Sequence, residues 1–135
     1  MFYFVVHRLR FLARVPLFPQ LFDSLLLMWT CMMCRQRIAA MEMLETEMLK
    51  MPGMRLRVHR FGGVEFSDTA TKHELGHIHG NALLDVKLDR EKSKELIGKG
   101  CVRPHHIFPK SAWVSFQLKS CADVPFAKEL LGYRQ

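Results

Sequence analysis

Four histidines carry the chemistry available to this chain. His77 and His79 are separated by one residue, and His105 and His106 are adjacent. Imidazole exchanges a proton near neutral pH, and its neutral form is a common metal ligand. Three converging imidazoles would suit a general base for an acidic phenol or enol, with a pKa held near neutrality by burial. Deprotonating an electron-rich enol is what cofactor-free oxygen chemistry requires. The same three imidazoles would also suit Zn²⁺ or Fe²⁺, although no Glu follows soon after the His pair. Packing is the plainer alternative. Buried histidines can hydrogen-bond backbone carbonyls, or Glu65 and Asp85.

Residues 72–88 must position the first pair. Two alternating runs flank Gly80-Asn81, a two-residue loop of the Gly-X type that suits a type II′ turn. That register sets His79 against Ala82, His77 against Leu84 and Leu75 against Val86. Both histidines then share a buried face with Leu75, Leu84, Val86 and Leu88. On the other face Gly76 meets Asp85, and Glu74 pairs with Lys87. The second pair belongs to a strand over residues 101–108. Its two histidines point to opposite faces, unless Pro104 makes a bulge. Alternation with Val102 and Phe108 as core selects His106.

The remaining pattern predicts an N-terminal helical segment, residues 1–52, and a second unit, residues 53–135. A helix spans roughly 20–50. Ile38, Met41, Leu44, Met48 and Met51 recur on one face of it, and Pro52-Gly53 ends it. Strands are predicted at 55–61, 64–67 and 112–119, with Val114, Phe116 and Leu118 toward the core and Trp113, Ser115 and Gln117 away from it. Short helices follow Asp89, a good N-cap, and Asp123. Arg55, Arg57, His59 and Arg60 read as a solvated strand face. The order implies an α+β fold: a mostly antiparallel sheet with helices on one face, preceded by the N-terminal helical segment.

Composition narrows the partners. The chain has 135 residues, enough for one core, and a net charge of +7. The excess is dispersed, +2 before Gly53 and +5 after it. A dispersed excess is a solvated surface rather than a nucleic-acid footprint, and no phosphate loop or RNA-binding signature accompanies it. No nucleic-acid partner is expected. Four cysteines indicate a reducing, cytoplasmic setting, with Cys31 and Cys34 as buried helical thiols. All nine methionines lie in residues 1–54. Phe2, Tyr3, Phe4, Phe11, Phe18, Phe22 and Trp29 accompany Arg8, Arg10 and Arg14, so residues 1–34 are the segment for peripheral membrane contact.

Glu74-Leu75-Gly76-His77-Ile78-His79, Lys99-Gly100, His105, Trp113-Val114-Ser115-Phe116 and Gly132-Tyr133 together resemble the luciferase-domain family, over roughly residues 58–135. Arg60-Phe61-Gly62-Gly63-Val64-Glu65-Phe66 and Pro104-His105-His106 resemble its small members in particular. The family includes the fungal luciferases, which oxidise a hydroxylated styryl-pyrone with molecular oxygen. The resemblance implies a small lipophilic ligand, oxygen as co-substrate, no resident cofactor and a cofactor-independent oxygenase. It favours His105 where alternation favours His106. This chain is shorter than the fungal enzymes and has a compact Pro109-Lys110-Ser111 loop where they carry an insertion.

The candidate catalytic residues are therefore His77, His79, His105 and His106. Glu74, Trp113 and Phe116 are the candidate substrate-binding residues, and none is assigned to a metal. A metal-dependent enzyme on the same histidines, and a non-catalytic membrane-associated module, are the alternatives.

Overall fold

A computed structural model describes residues 17–132. The aromatic and arginine-rich stretch before Leu17, and Tyr133, lie outside the described residues. Helix α1 (Phe18–Met33) and helix α2 (Arg35–Leu49) precede strands β1 (Met54–Val58), β2 (Val64–Asp68), β3 (Glu74–Ile78) and β4 (Leu83–Lys87). Helix α3 (Arg90–Gly98), strands β5 (Arg103–Pro104) and β6 (Trp113–Gln117), a 3₁₀ turn (Cys121–Asp123) and helix α4 (Val124–Gly132) complete the chain. The strands form one six-stranded sheet in the order β1-β2-β3-β4-β6-β5, and every neighbouring pair is antiparallel. The α+β architecture expected from the pattern is the one observed.

One face of the sheet holds the core. Phe66, Ile78, Leu84, Val86 and Val114 point into it from the strands, and Leu118 from just beyond β6. Helix α2 adds Ala40, Met41, Leu44 and Met48, at the predicted three-four spacing, and α4 adds Val124, Ala127, Leu130 and Leu131. Full burial of each large apolar side chain contributes about 1.5–3 kcal/mol. Asp89 caps α3 by accepting from the Lys92 N–H at 2.7 Å, as its position suggested. Gly76 lies on this face, where an added Cβ would sit 2.5 Å from the Asp85 carbonyl oxygen and 3.0 Å from Leu131. The core side of the β3–β4 pair is thus closed by α4.

Several local expectations change. The predicted single helix is two, broken at Cys34, whose backbone is non-helical (φ −143°, ψ 63°). The break lets α2 lie on the core while α1 turns away. Cys31 is exposed and Cys34 half-buried, so neither is a buried helical thiol. The strand predicted over 101–108 shrinks to Arg103–Pro104, because the chain after Pro104 leaves the sheet as a loop. Phe108 is exposed rather than core. Among the described residues, no helix is long and apolar enough to cross a membrane.

The facing of α2 gives a direct check. Leu44→Ala should lower unfolding free energy by about 2–5 kcal/mol, the cost of an unfilled core site, whereas Met43→Ala should change it little. Urea denaturation of both variants measures this. Equal effects would mean that α2 does not present this face to the core.

Candidate functional site

The other sheet face is polar, and two irregularities built it. The β3–β4 loop has three residues, not two. Ala82 N–H donates to the His79 carbonyl at 2.8 Å, His79 N–H donates to the Leu83 carbonyl at 2.9 Å, and Ala82 is left-handed at φ +63°. This is a type I turn followed by a left-handed residue. Gly80 does not adopt the positive φ that a type II′ turn would need. The extra residue shifts the register by one. His77 therefore faces Asp85, and Gly76 faces Val86. The apolar partners expected beside the histidines belong to the core face instead.

The second irregularity is a bulge at Leu75. Phe66 pairs with Gly76, but Ser67 pairs with Glu74. The bulge reverses the parity of everything before it, which brings Glu74 onto the histidine face. The expected Glu74–Lys87 charge pair does not form. Glu74 Oε1 instead lies 2.6 Å from His77 Nδ1, and Lys87 stands opposite Trp113.

Asp85 is the centre. It is fully buried, with Ser115 opposite it on β6, and the Ser115 hydroxyl donates to Asp85 Oδ1. Asp85 Oδ2 accepts no hydrogen bond of good geometry and is sealed from solvent. Four imidazoles surround this oxygen: His79 Nε2 at 3.5 Å, His105 Nε2 at 3.6 Å, His77 Nε2 at 3.7 Å and His106 Nδ1 at 3.9 Å. Alternation and resemblance each selected one of His105 and His106; both arrive, because they lie on a loop and not on a strand.

Helix α1 closes the site. Asp23 Oδ1 accepts from the Gly80 N–H at 2.9 Å and lies 3.2 Å from His79 Nδ1. A Cβ on Gly80 would come within 2.5 Å of the Asp23 carbonyl oxygen, and one on Gly62 within 2.4 Å of Asp23 Cβ. Two glycines on neighbouring turns thus admit the helix. His59, read as solvated, is buried and stacks on His77, with centroids 3.9 Å apart and planes 8° apart. Its Nε2 lies 3.6 Å from Glu74 Oε1. Trp113 borders His77 and His105 at 5.5 and 6.0 Å. Exposed Phe61 and Phe108 flank His59 and His105. Phe116 does not join them. It is on the core face and packs edge-on against Phe126, as the parity of β6 dictates.

The hydrogen bonds fix where the ring protons are. Carboxylates only accept, so His77 Nδ1 and His79 Nδ1 carry hydrogens toward Glu74 and Asp23. His105 is the reverse. Its Nδ1 accepts from the Ile107 and Phe108 N–H groups at 3.1 and 3.2 Å, so its Nε2 carries the hydrogen. Burial depresses His59 and His106 to about 4 and lowers His105. Burial also acts to lower His79, but Asp23 and Asp85 outweigh it and hold that imidazole up at about 9. Burial raises Asp85, but contact with His79, then the His105 charge, outweigh it and keep the carboxyl below its ordinary value. Three residue sets could each gather ligand atoms within 4.8 Å: His77, His79 and Asp85; Asp85, His105 and His106; and His59, Glu74 and His77.

Sequence reasoning missed Asp23, His59 and Ser115 and put Asp85 on the wrong face. The signal for Asp85 was present: a carboxylate between Leu84 and Val86 in a buried strand needs partners on its own face.

These shifts set a pH profile for the protein in chelating buffer. His59 and His106 have lower pKa values folded than unfolded, where an imidazole titrates near ~6.5. The unfolded chain then binds more protons from about pH 4 to 6.5, and stability rises with pH there. His79 is raised, so its contribution is full below ~6.5 and is lost as pH climbs through about 9. The urea midpoint should peak near pH 6.5. A midpoint rising steadily from pH 4 to 9 would contradict the assignment.

Comparison with known proteins agrees with the resemblance carried by these residues. No curated protein and no solved structure gives a significant match. The family model described as Luciferase domain matches residues 72–132. That stretch supplies Glu74, His77, His79, Asp85, His105, His106, Trp113 and Ser115. The bulged hairpin, the buried carboxylate and its imidazoles all lie inside the matched segment, so it is residues 72–132, with the site they carry, that are similar to the Luciferase domain.

Proposed function

We propose that the protein binds a lipophilic aromatic enol and oxidises it with molecular oxygen. The observation that carries this reading is the convergence of five histidines on one sheet face beneath an aromatic rim of Phe61, Phe108 and Trp113. The similarity of residues 72–132 to the Luciferase domain supports the reaction class. The ring of the ligand would lie on the rim, with its acidic hydroxyl toward the imidazoles.

The chemistry balances with few parts. A neutral imidazole takes the enol proton. The enolate carbon then adds oxygen, giving the electron pair of the new C–O bond, and the imidazolium returns the proton to the resulting peroxide. His105 cannot be the base while two backbone N–H groups occupy its Nδ1. His106, neutral at physiological pH, is the better candidate. A developing enolate beside it would raise its affinity for the proton.

A peripheral membrane contact belongs to the same reading. Leu21, Leu25, Met28 and Met32 line one side of α1, with Trp29 beside them, and all are exposed. An interfacial helix would hold the site close to a lipid-dissolved substrate.

Two experiments test this. Oxygen uptake should follow addition of a hydroxylated styryl-pyrone to the full chain. His106→Gln should slow it by on the order of 10²-fold while the melting temperature stays near the parent's. A parent without oxygen uptake, or a variant as fast as the parent, would sink the oxygenase. Separately, the parent should float with vesicles of mixed neutral and anionic lipid, and Leu25→Glu with Met28→Glu should stay in the soluble fraction. Equal flotation would remove α1 from the contact.

A further inference from the structure

We infer that His77 Nε2, His79 Nε2 and Asp85 Oδ2 form a binding site for a divalent transition-metal ion. The site stands on the geometry of the cluster; that its ion serves the oxidation rests on the reading above.

Three observations meet here. First, the donor atoms converge. The two imidazole nitrogens lie 3.7 and 3.5 Å from Asp85 Oδ2. Ligand bonds of about 2.0–2.1 Å at a tetrahedral centre place donors roughly 3.3 Å apart; both distances to Asp85 Oδ2 are within a few tenths of an ångström of that, and all three donors lie within 4.8 Å of one another. Second, every donor is turned inward by a partner on its other atom. Glu74 holds His77 Nδ1, Asp23 holds His79 Nδ1, and the Ser115 hydroxyl holds Asp85 Oδ1. A carboxylate behind a ligating imidazole is the arrangement that fixes its tautomer and raises its basicity. Third, Asp85 Oδ2 is buried without a hydrogen-bond donor of good geometry, which is costly for an ionised oxygen.

The tautomers separate ligands from neighbours. With Nδ1–H committed to Glu74, His77 presents a lone pair at Nε2, and His79, whose Nδ1–H is committed to Asp23, does so once its second proton leaves. Both nitrogens face the Asp85 Oδ2 oxygen, and a metal ion would take the place of the His79 proton between them. His105 Nε2 is equally near, at 3.6 Å, yet it carries the hydrogen and has no lone pair to offer, so His105 is a neighbour and not a ligand. Two imidazoles and one carboxylate on one side of an ion leave the remaining positions open, the donor set used by non-haem Fe²⁺ and also acceptable to Zn²⁺ or Co²⁺. Without an ion, the alternative occupant of the gap is a second proton on His79, carried at Nε2 toward Asp85 Oδ2.

Cobalt distinguishes the two occupants, because bound Co²⁺ has visible absorption and a proton does not. Full-length protein, stripped with chelator and dialysed, should take up about one Co²⁺ with a visible ligand-field band, and Zn²⁺ should displace it. Asp85→Asn, which preserves shape, and His77→Gln should each weaken binding by ~100-fold or more. Asp23→Asn touches no ligand atom of the ion and should cost about 10–100-fold. His105→Gln should stay within roughly threefold of the parent. Circular dichroism establishes that each variant is folded; if Asp85→Asn is not, His77→Gln and Asp23→Asn decide. A parent that binds no Co²⁺, or an Asp85→Asn variant that binds as well as the parent, overturns the site. So does loss of the band in His105→Gln but not in His77→Gln. Binding is read directly, so a cobalt-loaded or iron-loaded protein that consumes no oxygen would count against the oxygenase reading alone.

Discussion

The structure depends on a carboxylate placed where water cannot reach it. Stripping a carboxylate of water costs several kcal/mol even after relaxation, and the loss is recovered only through close, well-oriented partners. Asp85 sits at zero exposure in the middle strands of the sheet, with one oxygen held by Ser115 and the other facing imidazole nitrogens. Each neighbour is placed by a different element. β3 supplies His77, the β3–β4 turn begins with His79, the loop after β5 brings His105 and His106, and β6 supplies Ser115. The face is therefore a converging polar network on a single anionic centre. Behind it, the opposite face of the same strands is an ordinary apolar core that holds those strands rigid.

Two departures from regular pairing make that convergence possible. A two-residue hairpin would have put Asp85 on the core face, against Leu131 and Phe66, where nothing could compensate it. The three-residue loop rotates it to the histidines. The Leu75 bulge does the same for Glu74, which orders His77 and approaches His59. Irregularities of this kind occur where a side chain must be re-aimed, and here both re-aim carboxylates.

Helix α1 ties the exterior to this centre. Its outward side is apolar and exposed, while its inward side carries Asp23 into the space left by two glycines. The Asp23 carboxylate then sets the orientation of His79 and caps the Gly80 N–H. Whatever covers the outside of α1 is thus one helix diameter from the imidazoles, and a shift of α1 would move a hydrogen-bond partner of the site directly.

Much of this was legible in the residue pattern. Period-two and period-3.6 apolar spacing determined the antiparallel α+β order, the inward face of α2 and the parity of β6, because hydrophobic burial is enforced at every strand and helix position. The Glu-x-x-His-x-His block and its companions carried the resemblance to the Luciferase domain and located the histidines. Tertiary structure decided the rest. Turn length fixed which residue opposes His77, and a one-residue difference moves a whole strand to the other face. Gly80 suggested a turn by its freedom of φ, but it is required by its lack of a Cβ, and only the position of α1 shows that. Asp23 reaches His79 across 56 residues, and His59 reaches His77 across a sheet. No local spacing encodes contacts of that range, because they arise only after the core has set where each strand and helix ends.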